Sequence, residues 1–493
     1  MCTCRLCTII NVYMSVVYGI KKYGVDKIAF LGLFVVALLL ARLIITSRSA
    51  IVLSEPIELN YSGLSVSIPA GNGWQSEKQW KYYKNTFTLS SFFDSGSGNM
   101  TAMAHCRYLL AAKTATADML FREKTSAIGG AIANTGQILI DIPGLDFSKS
   151  LQNADPLIIN WVHIKKPNRL FDTFFGVTQL PNGRQLDIEV YQTGGDIDLA
   201  ERVFKRVTES IKLQDNRALE AGCEIIAAIK SKGLDSFFSS RFAEETKSGG
   251  NFFLMKDVGG RSVGFAIDVL IAAPVLQQNR ETELYDLDSD AQSIQASSFD
   301  YIRGPYNREQ ATFFQGQNNL DEFTWRSETS GIEGKSGAEI IFDKTAVMTV
   351  RKFGQTVEHN SYNISSAAIP NIFDALTFSQ MLDSDYEEVI VDIIGADGVI
   401  LPLLVSRTEK DASAVERFFS EGAAQEQVTY VLRLELLDGR GFFDQVYLDK
   451  QGRILKRLLQ REEAYILERT NAETILREFP ERSDYILRSN KML

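Results

Sequence analysis

Apolar and polar residues alternate with period two in many short stretches of this chain, the pattern of half-buried β-strands. The alternation opens at Leu64-Ser65-Val66-Ser67-Ile68 and is stopped by Pro69-Ala70-Gly71-Asn72-Gly73 before Trp74. Further runs predict strands at Thr86–Phe93, Thr101–Ala111, Gly136–Ile142, Leu157–Ile164, Phe171–Leu180 and Arg184–Tyr191. Asn182-Gly183 joins the last two, and both residues tolerate the positive φ of a tight hairpin turn. Helical spacing covers about Thr116–Ile128. It returns after an acidic cap around Asp196, placing Ala200, Val203, Phe204, Val207 and Ile211 on one face.

A second unit opens with the helix Arg217–Lys232, ended by Gly233. Strand-like runs follow at Asn251–Lys256, Ser262–Ala272, Ser293–Arg303, Glu309–Gln315, Leu320–Ser327, Ala338–Phe342, Ala346–Lys352 and Gln355–Tyr362. A helix over Pro370–Leu382 interrupts, with proline at the tolerated first turn. Strands resume at Glu388–Ile394, Val399–Ser406, Thr429–Leu437, Gly441–Leu448 and Ile454–Gln460 before a last helix, Asn471–Phe479. Many local hairpins and few helices predict a large, mostly antiparallel, twisted sheet. The three helices of this half are expected to cover one face, filling it or lining a pocket for an acyl-type or peptide ligand.

One stretch breaks the alternation. Residues 28–45 read IAFLGLFVVALLLARLII, interrupted only by Arg42 near one end, where its long side chain can snorkel. A transmembrane helix is expected over 28–46. Arg5, Lys21, Lys22 and Lys27 precede it against Asp26 alone, which places residues 1–27 in the cytoplasm and the rest outside it. Arg48-Ser49-Ala50 puts arginine where a signal peptidase wants a small residue, so an uncleaved anchor is expected. Cys2, Cys4 and Cys7 lack a nearby fourth zinc ligand, and a start at Met14 removes all three. Cys106 and Cys223 read as buried thiols, with a bridge between them as the alternative.

The opening strand and turn, Leu64-Ser65-Val66-Ser67-Ile68-Pro69 followed by Trp74, and the closing run Glu209-Ser210-Ile211-Lys212-Leu213 after a terminal helix carry a resemblance. Residues 57–214 resemble the PsbP/Mog1/DcrB-like α/β domains; the connection around Asp94–Asn99 departs from that pattern. The resemblance implies an α/β sandwich with an envelope or lumenal binding role and no catalytic residues. Val446-Tyr447-Leu448-Asp449-Lys450-Gln451-Gly452-Arg453-Ile454-Leu455-Lys456 is similar to strand pairs of LolA/LppX-like envelope proteins. That likeness implies a curved half-barrel for 217–493.

The 493 residues carry 52 Lys+Arg against 62 Asp+Glu, a net charge of −10, which argues against a basic stripe for nucleic acid. Gly260-Arg261-Ser262-Val263-Gly264 matches the G-x-S-x-G nucleophile elbow, with His359 as the one histidine downstream. An elbow needs a helix after the serine, whereas Phe265-Ala266-Ile267-Asp268-Val269 alternates like a strand; a Gly-rich hairpin turn is the favoured reading. Asp286, Asp288 and Asp290 have the first spacing of a calcium loop, but Ala291 and Ser297 occupy the positions that need Gly and Glu. A solvated loop is expected there, and a charged turn at Asp383, Asp385, Glu387 and Glu388. His105 and Cys106, as strand neighbours, should point to opposite faces. His163 and His359 read as strand-surface residues. Asn60, Asn99 and Asn363 open glycosylation sequons.

These readings combine into an α+β expectation: a transmembrane helix at 28–46, an α/β sandwich at 57–214 and a β-rich unit at 217–493. The expected role is non-enzymatic: a single-pass, membrane-anchored extracytoplasmic protein of binding or envelope-assembly type with a protein partner in the envelope, and with no cofactor, no metal and no catalytic residue. The alternatives are a tethered serine hydrolase using Ser262 and a carrier of an apolar, lipid-like ligand.

Overall fold

The alternating runs assemble into three sheets. The computed structural model describes residues 34–38 and 51–492, except 60, 95–99, 114, 141–156, 167–170, 181–183, 194–196, 215, 235–247, 275–291, 305–306, 332–333, 343–346, 354–357, 366, 396, 410–426 and 461–463. The small sheet joins Ile57–Leu59, Leu64–Val66 and Lys212–Leu213. The second sheet contains β1 (Thr86–Asp94), β2 (Met100–Leu109), β3 (Ala131–Ile140), β4 (Leu157–Lys166), β5 (Phe171–Gln179) and β6 (Gln185–Thr193). Its order is β1-β2-β6-β5-β4-β3, with Trp74–Ser76 and Lys81–Tyr83 paired to β1. The β5–β6 hairpin runs in register from Phe171↔Thr193 to Gln179↔Gln185. Its turn, Asn182-Gly183, lies outside the described residues, as does the cap around Asp196.

Two helices cover opposite faces of this sheet. α1 (Ala117–Ile128) is capped by Thr116, whose side chain accepts from the Met119 amide, and ends at Gly129 in the left-handed region. Its Phe121 packs with Val162, Ile164, Phe175 and Val177. α2 (Ile197–Glu209) buries Ala200, Val203, Phe204 and Val207 in the main core with Phe174, Ile188 and Val190 on the other side.

The third sheet has sixteen strands. One arm holds β7 (Ser248–Asp257), β8 (Ser262–Pro274), β9 (Gln292–Ile302), β10 (Arg308–Gln317), β11 (Phe323–Gly331), β12 (Gly334–Phe342), β13 (Val347–Phe353) and β14 (Glu358–Asn363). The other holds β15 (Glu388–Ile394), β16 (Ile400–Thr408), β17 (Tyr430–Leu436), β18 (Phe443–Leu448), β19 (Ile454–Gln460) and β20 (Tyr465–Thr470). Each arm is a meander of antiparallel hairpins, and β20 pairs with β7 to join them. Ala368–Pro370 adds to β15 in parallel, and Ala112–Lys113 adds to β14 at the far edge.

The sheet curls until its arms meet. A Cβ built on Gly398, between β15 and β16, would lie 2.8 Å from Val350 on β13. Inside the curl sit α3 (Arg217–Lys232) and α4 (Asp374–Leu382). Ile225, Ile226 and Ile229 of α3, with Phe373 and Phe378, share one buried cluster with Trp325 and Ile340 of one arm and Val389 and Leu432 of the other. α3 comes so close to β15 that a Cβ on Gly222 would stand 1.8 Å from the Ile390 carbonyl oxygen. Two further helices, α5 (Ala472–Glu478) and α6 (Ser483–Met492), pack elsewhere. Their Ile475, Phe479 and Ile486 cluster with Phe265, Ile267 and Val269 of β8. Those positions alternate with the Ala266 and Asp268 set, so α5 and α6 cover the outer face. The helix over 471–479 therefore does not share a face with the other two, contrary to the sequence expectation.

Two expectations need correction. The α+β class gives way to a mostly β protein, because the strand-like runs join into continuous sheets and the helices only cover them. The transmembrane helix expected over 28–46 is not found: among the described residues no helix is long and apolar enough to cross a membrane. Of that stretch only residues 34–38 are described, as helix.

The core is continuous across residue 215, where the sequence divides two units. Arg184, the residue before β6, pairs with Asp392 on β15 at 2.5 Å, and both side chains are 0% exposed. The Tyr82 hydroxyl donates to the Ile400 carbonyl at 2.6 Å.

Candidate functional site

On the α1 side of the second sheet, polar side chains occupy alternate positions of β2 and β6 while their neighbours fill the core. His105, Arg107 and Leu109 face this side from β2, opposite Glu189, Asp187 and Gln185 of β6 in register. The neighbouring Cys106, Tyr108, Leu186 and Ile188 are buried in the main core. His105 and Cys106 thus point to opposite faces, as strand geometry requires.

After Leu109 the chain leaves the second sheet, and Ala112-Lys113 joins the edge of the large one against Tyr362 and Asn363. α1 then returns over β4 and β5. Between these elements lies a recess of about 360 Å³, within the range of small-ligand sites. Its apolar wall includes Leu109, Ala111, Leu120, Phe175 and Tyr362; Lys84, Arg107, Lys124, Glu123, Asp187 and Gln185 supply the polar groups.

The charges form a graded network. Glu189 accepts from Lys124 at 2.7 Å and contacts His105 Nε2 at 2.9 Å. Burial alone pushes Glu189 up, but the His105 hydrogen bond and the Lys124 charge outweigh it and hold the carboxyl at about 2. Asp187 accepts from Gln185 Nε2 at 2.6 Å. Burial raises it above the usual carboxylate range, against the opposing pull of Arg107. Arg107 reaches Asp187 at 3.3 Å and Glu189 at 3.6 Å. Its Nε and the Gln185 Oε1 are buried without a hydrogen-bond partner. Such atoms call for a partner, which a water or a bound group in the recess can supply.

The positions singled out from the sequence do not converge on this recess. Ser262 begins β8, so a strand follows it and no nucleophile elbow forms. His359 sits on β14, six strands along the sheet from β8. His163 is buried rather than on the surface: it bonds Asp172 at 2.7 Å and stacks on Phe174 at 4.5 Å. Neither Cys106 nor Cys223 forms a disulfide, and burial pushes the Cys106 thiol up to about 12. Asp286, Asp288 and Asp290 lie outside the described residues, as do Cys2, Cys4, Cys7, Met14, Asn60 and Asn99. Asp383 ends α4 and Asp385, Glu387 and Glu388 follow it. No group of three or more His, Cys, Asp or Glu that could hold a metal occurs among the described residues. The sequence reading passed over Arg107, Lys124, Asp187 and Glu189. The available signal was the charged pair Asp187 and Glu189 on one face of a strand whose other face is Leu186, Ile188 and Val190.

No family model matches the chain, and no curated protein matches it. Among solved structures it is similar to a beta-barrel-like protein of domain of unknown function DUF1849 from Brucella abortus. The TM-score is 0.31 at 5% identity, over 45% of this chain and 94% of that one.

Proposed function

We propose that this protein is a non-enzymatic binding protein whose ligand site is the recess between α1, β2, β6 and the β14 edge. The recess itself carries the reading: about 360 Å³, walled by apolar side chains and by polar groups from several elements that converge on it. The concave side of the large sheet is a less suitable site, because α3 and α4 fill its apolar part. A hydrolase reading at Ser262 lacks the strand-to-helix turn that would expose a nucleophile.

The test uses the full chain and the fluorescent probe 8-anilinonaphthalene-1-sulfonate. Ala127 lines the recess and is exposed on α1, so an indole placed there can lie across the opening without entering the core. Saturable, one-to-one binding is expected for the native chain and for Ser262→Ala, with a large loss in Ala127→Trp. Native-like binding by a folded Ala127→Trp protein sinks the assignment.

A further inference from the structure

Resting on the recess as the ligand site, we infer that its ligand presents a single anionic head to Arg107 and lays an apolar body against Leu109, Leu120 and Tyr362. A guanidinium offers five N–H donors in a planar fork. Among the described residues Arg107 makes no hydrogen bond, and its ion pairs at 3.3 and 3.6 Å exceed the roughly 2.7–2.9 Å of a charge-assisted hydrogen bond. Its Nε lacks an acceptor although buried. The neighbouring carboxylates are better served by other donors: Glu189 by Lys124 at 2.7 Å and His105 at 2.9 Å, Asp187 by Gln185 at 2.6 Å. Arg107 is therefore an under-bonded cation on the wall.

The wall carries Lys84, Arg107 and Lys124 against Glu123 and Asp187. Glu189 behind Lys124 and Arg107 balances these charges, so the selection rests on the fork itself: Arg107 repels a cationic head, and a neutral one would leave the fork unsatisfied. A carboxylate, phosphate or sulfonate supplies two coplanar acceptors to the fork. Behind the head, Leu109, Leu120, Phe175 and Tyr362 leave room for an apolar group rather than a second charge.

The experiment titrates the full chain with 8-anilinonaphthalene-1-sulfonate and with N-phenyl-1-naphthylamine, which keeps the aromatic rings but lacks the sulfonate. The anionic probe should bind at least about tenfold tighter, the scale of one charge-assisted hydrogen-bonded contact. Arg107→Met should bring it down to the affinity of the neutral probe, whose own binding stays unchanged. Arg107→Lys, which keeps the charge and loses the fork, should fall between and serves if the methionine variant does not fold. Ala127→Trp should weaken both probes. If Ala127→Trp weakens both while neither Arg107 variant affects the anionic probe, the anionic head is overturned and the recess stands. If Ala127→Trp affects neither probe, the recess is not the site and both readings fall.

Discussion

Replacing Arg184 with methionine tests how firmly the two halves of the chain are joined. Arg184 and Asp392 are fully buried, 2.5 Å apart and 208 residues apart in sequence. The guanidinium also donates to the Tyr108 hydroxyl at 2.9 Å and lies 5.3 Å from the Tyr61 ring. Burial opposes its charge, yet the Asp392 carboxylate and the two tyrosines hold its pKa well above the usual arginine value. Methionine fills much of the same volume but leaves Asp392 charged, dry and unpaired. Breaking a buried pair from one side costs about 3–5 kcal/mol, whereas replacing both members with apolar residues is often near neutral. Urea denaturation of the full chain should therefore show a large loss for Arg184→Met and recovery of most of it in Arg184→Met/Asp392→Leu. A loss below about 1 kcal/mol in the single variant, or a double variant no better than the single, would refute the reasoning.

Burial pushes Asp268 up to about 7, with Asp300 adding to the shift, and Asp300 up to about 6 against the pull of Arg308 and Arg457. The folded chain then holds protons that the unfolded chain releases near pH 4, so this stability is complete below about pH 4 and is lost as pH rises through 6 and 7. Asp268→Asn should flatten the fall in denaturation midpoint between pH 5 and pH 8; an unchanged slope counts against it. Gly222→Ala places a methyl 1.8 Å from the Ile390 oxygen and should cost about 1–3 kcal/mol or more, measured by thermal unfolding. Gly71→Ala, with φ +70 and nothing within 4 Å, should cost only the left-handed strain, about 1–2 kcal/mol. Phe479→Ala empties the outer-face cluster around Phe265 at 5.2 Å and Tyr301 at 5.8 Å. It should cost about 3–5 kcal/mol without changing probe binding at the recess.

Local structure was legible wherever side chains sort by period. Glu388–Ile394 and Ile454–Gln460 occupy the predicted bounds, and so does α3, with Asn216 as its cap. Tyr465–Thr470 was not legible, because all six positions are half-buried and show no inward and outward contrast. The two-residue strand Ala112–Lys113 carries no pattern at all, yet it ties the first half to the edge of the large sheet. The mostly β class was obscured for the same reason: the runs were visible, but their joining into one sixteen-stranded sheet depends on distant pairs such as β20 with β7. At the recess, one strand showed that Asp187 and Glu189 share a face. Their meeting with Arg107 and Lys124 depends on β2, β6 and α1 coming together, which no local window contains.

The order of the strands sets a timetable for synthesis. Ala112–Lys113 emerges early but finds Tyr362 and Asn363 only about 250 residues later, roughly 12–50 s at 5–20 residues per second. The centre of the large sheet waits longer still, since β7 meets its second neighbour only when Tyr465–Thr470 has been made. Until then the nascent sheet consists of two arms, each ending in an unpaired strand able to template association with other chains. A message cut short before codon 465 therefore yields a product with a raw edge at β7, marked for aggregation or proteolysis however well its other hairpins have formed.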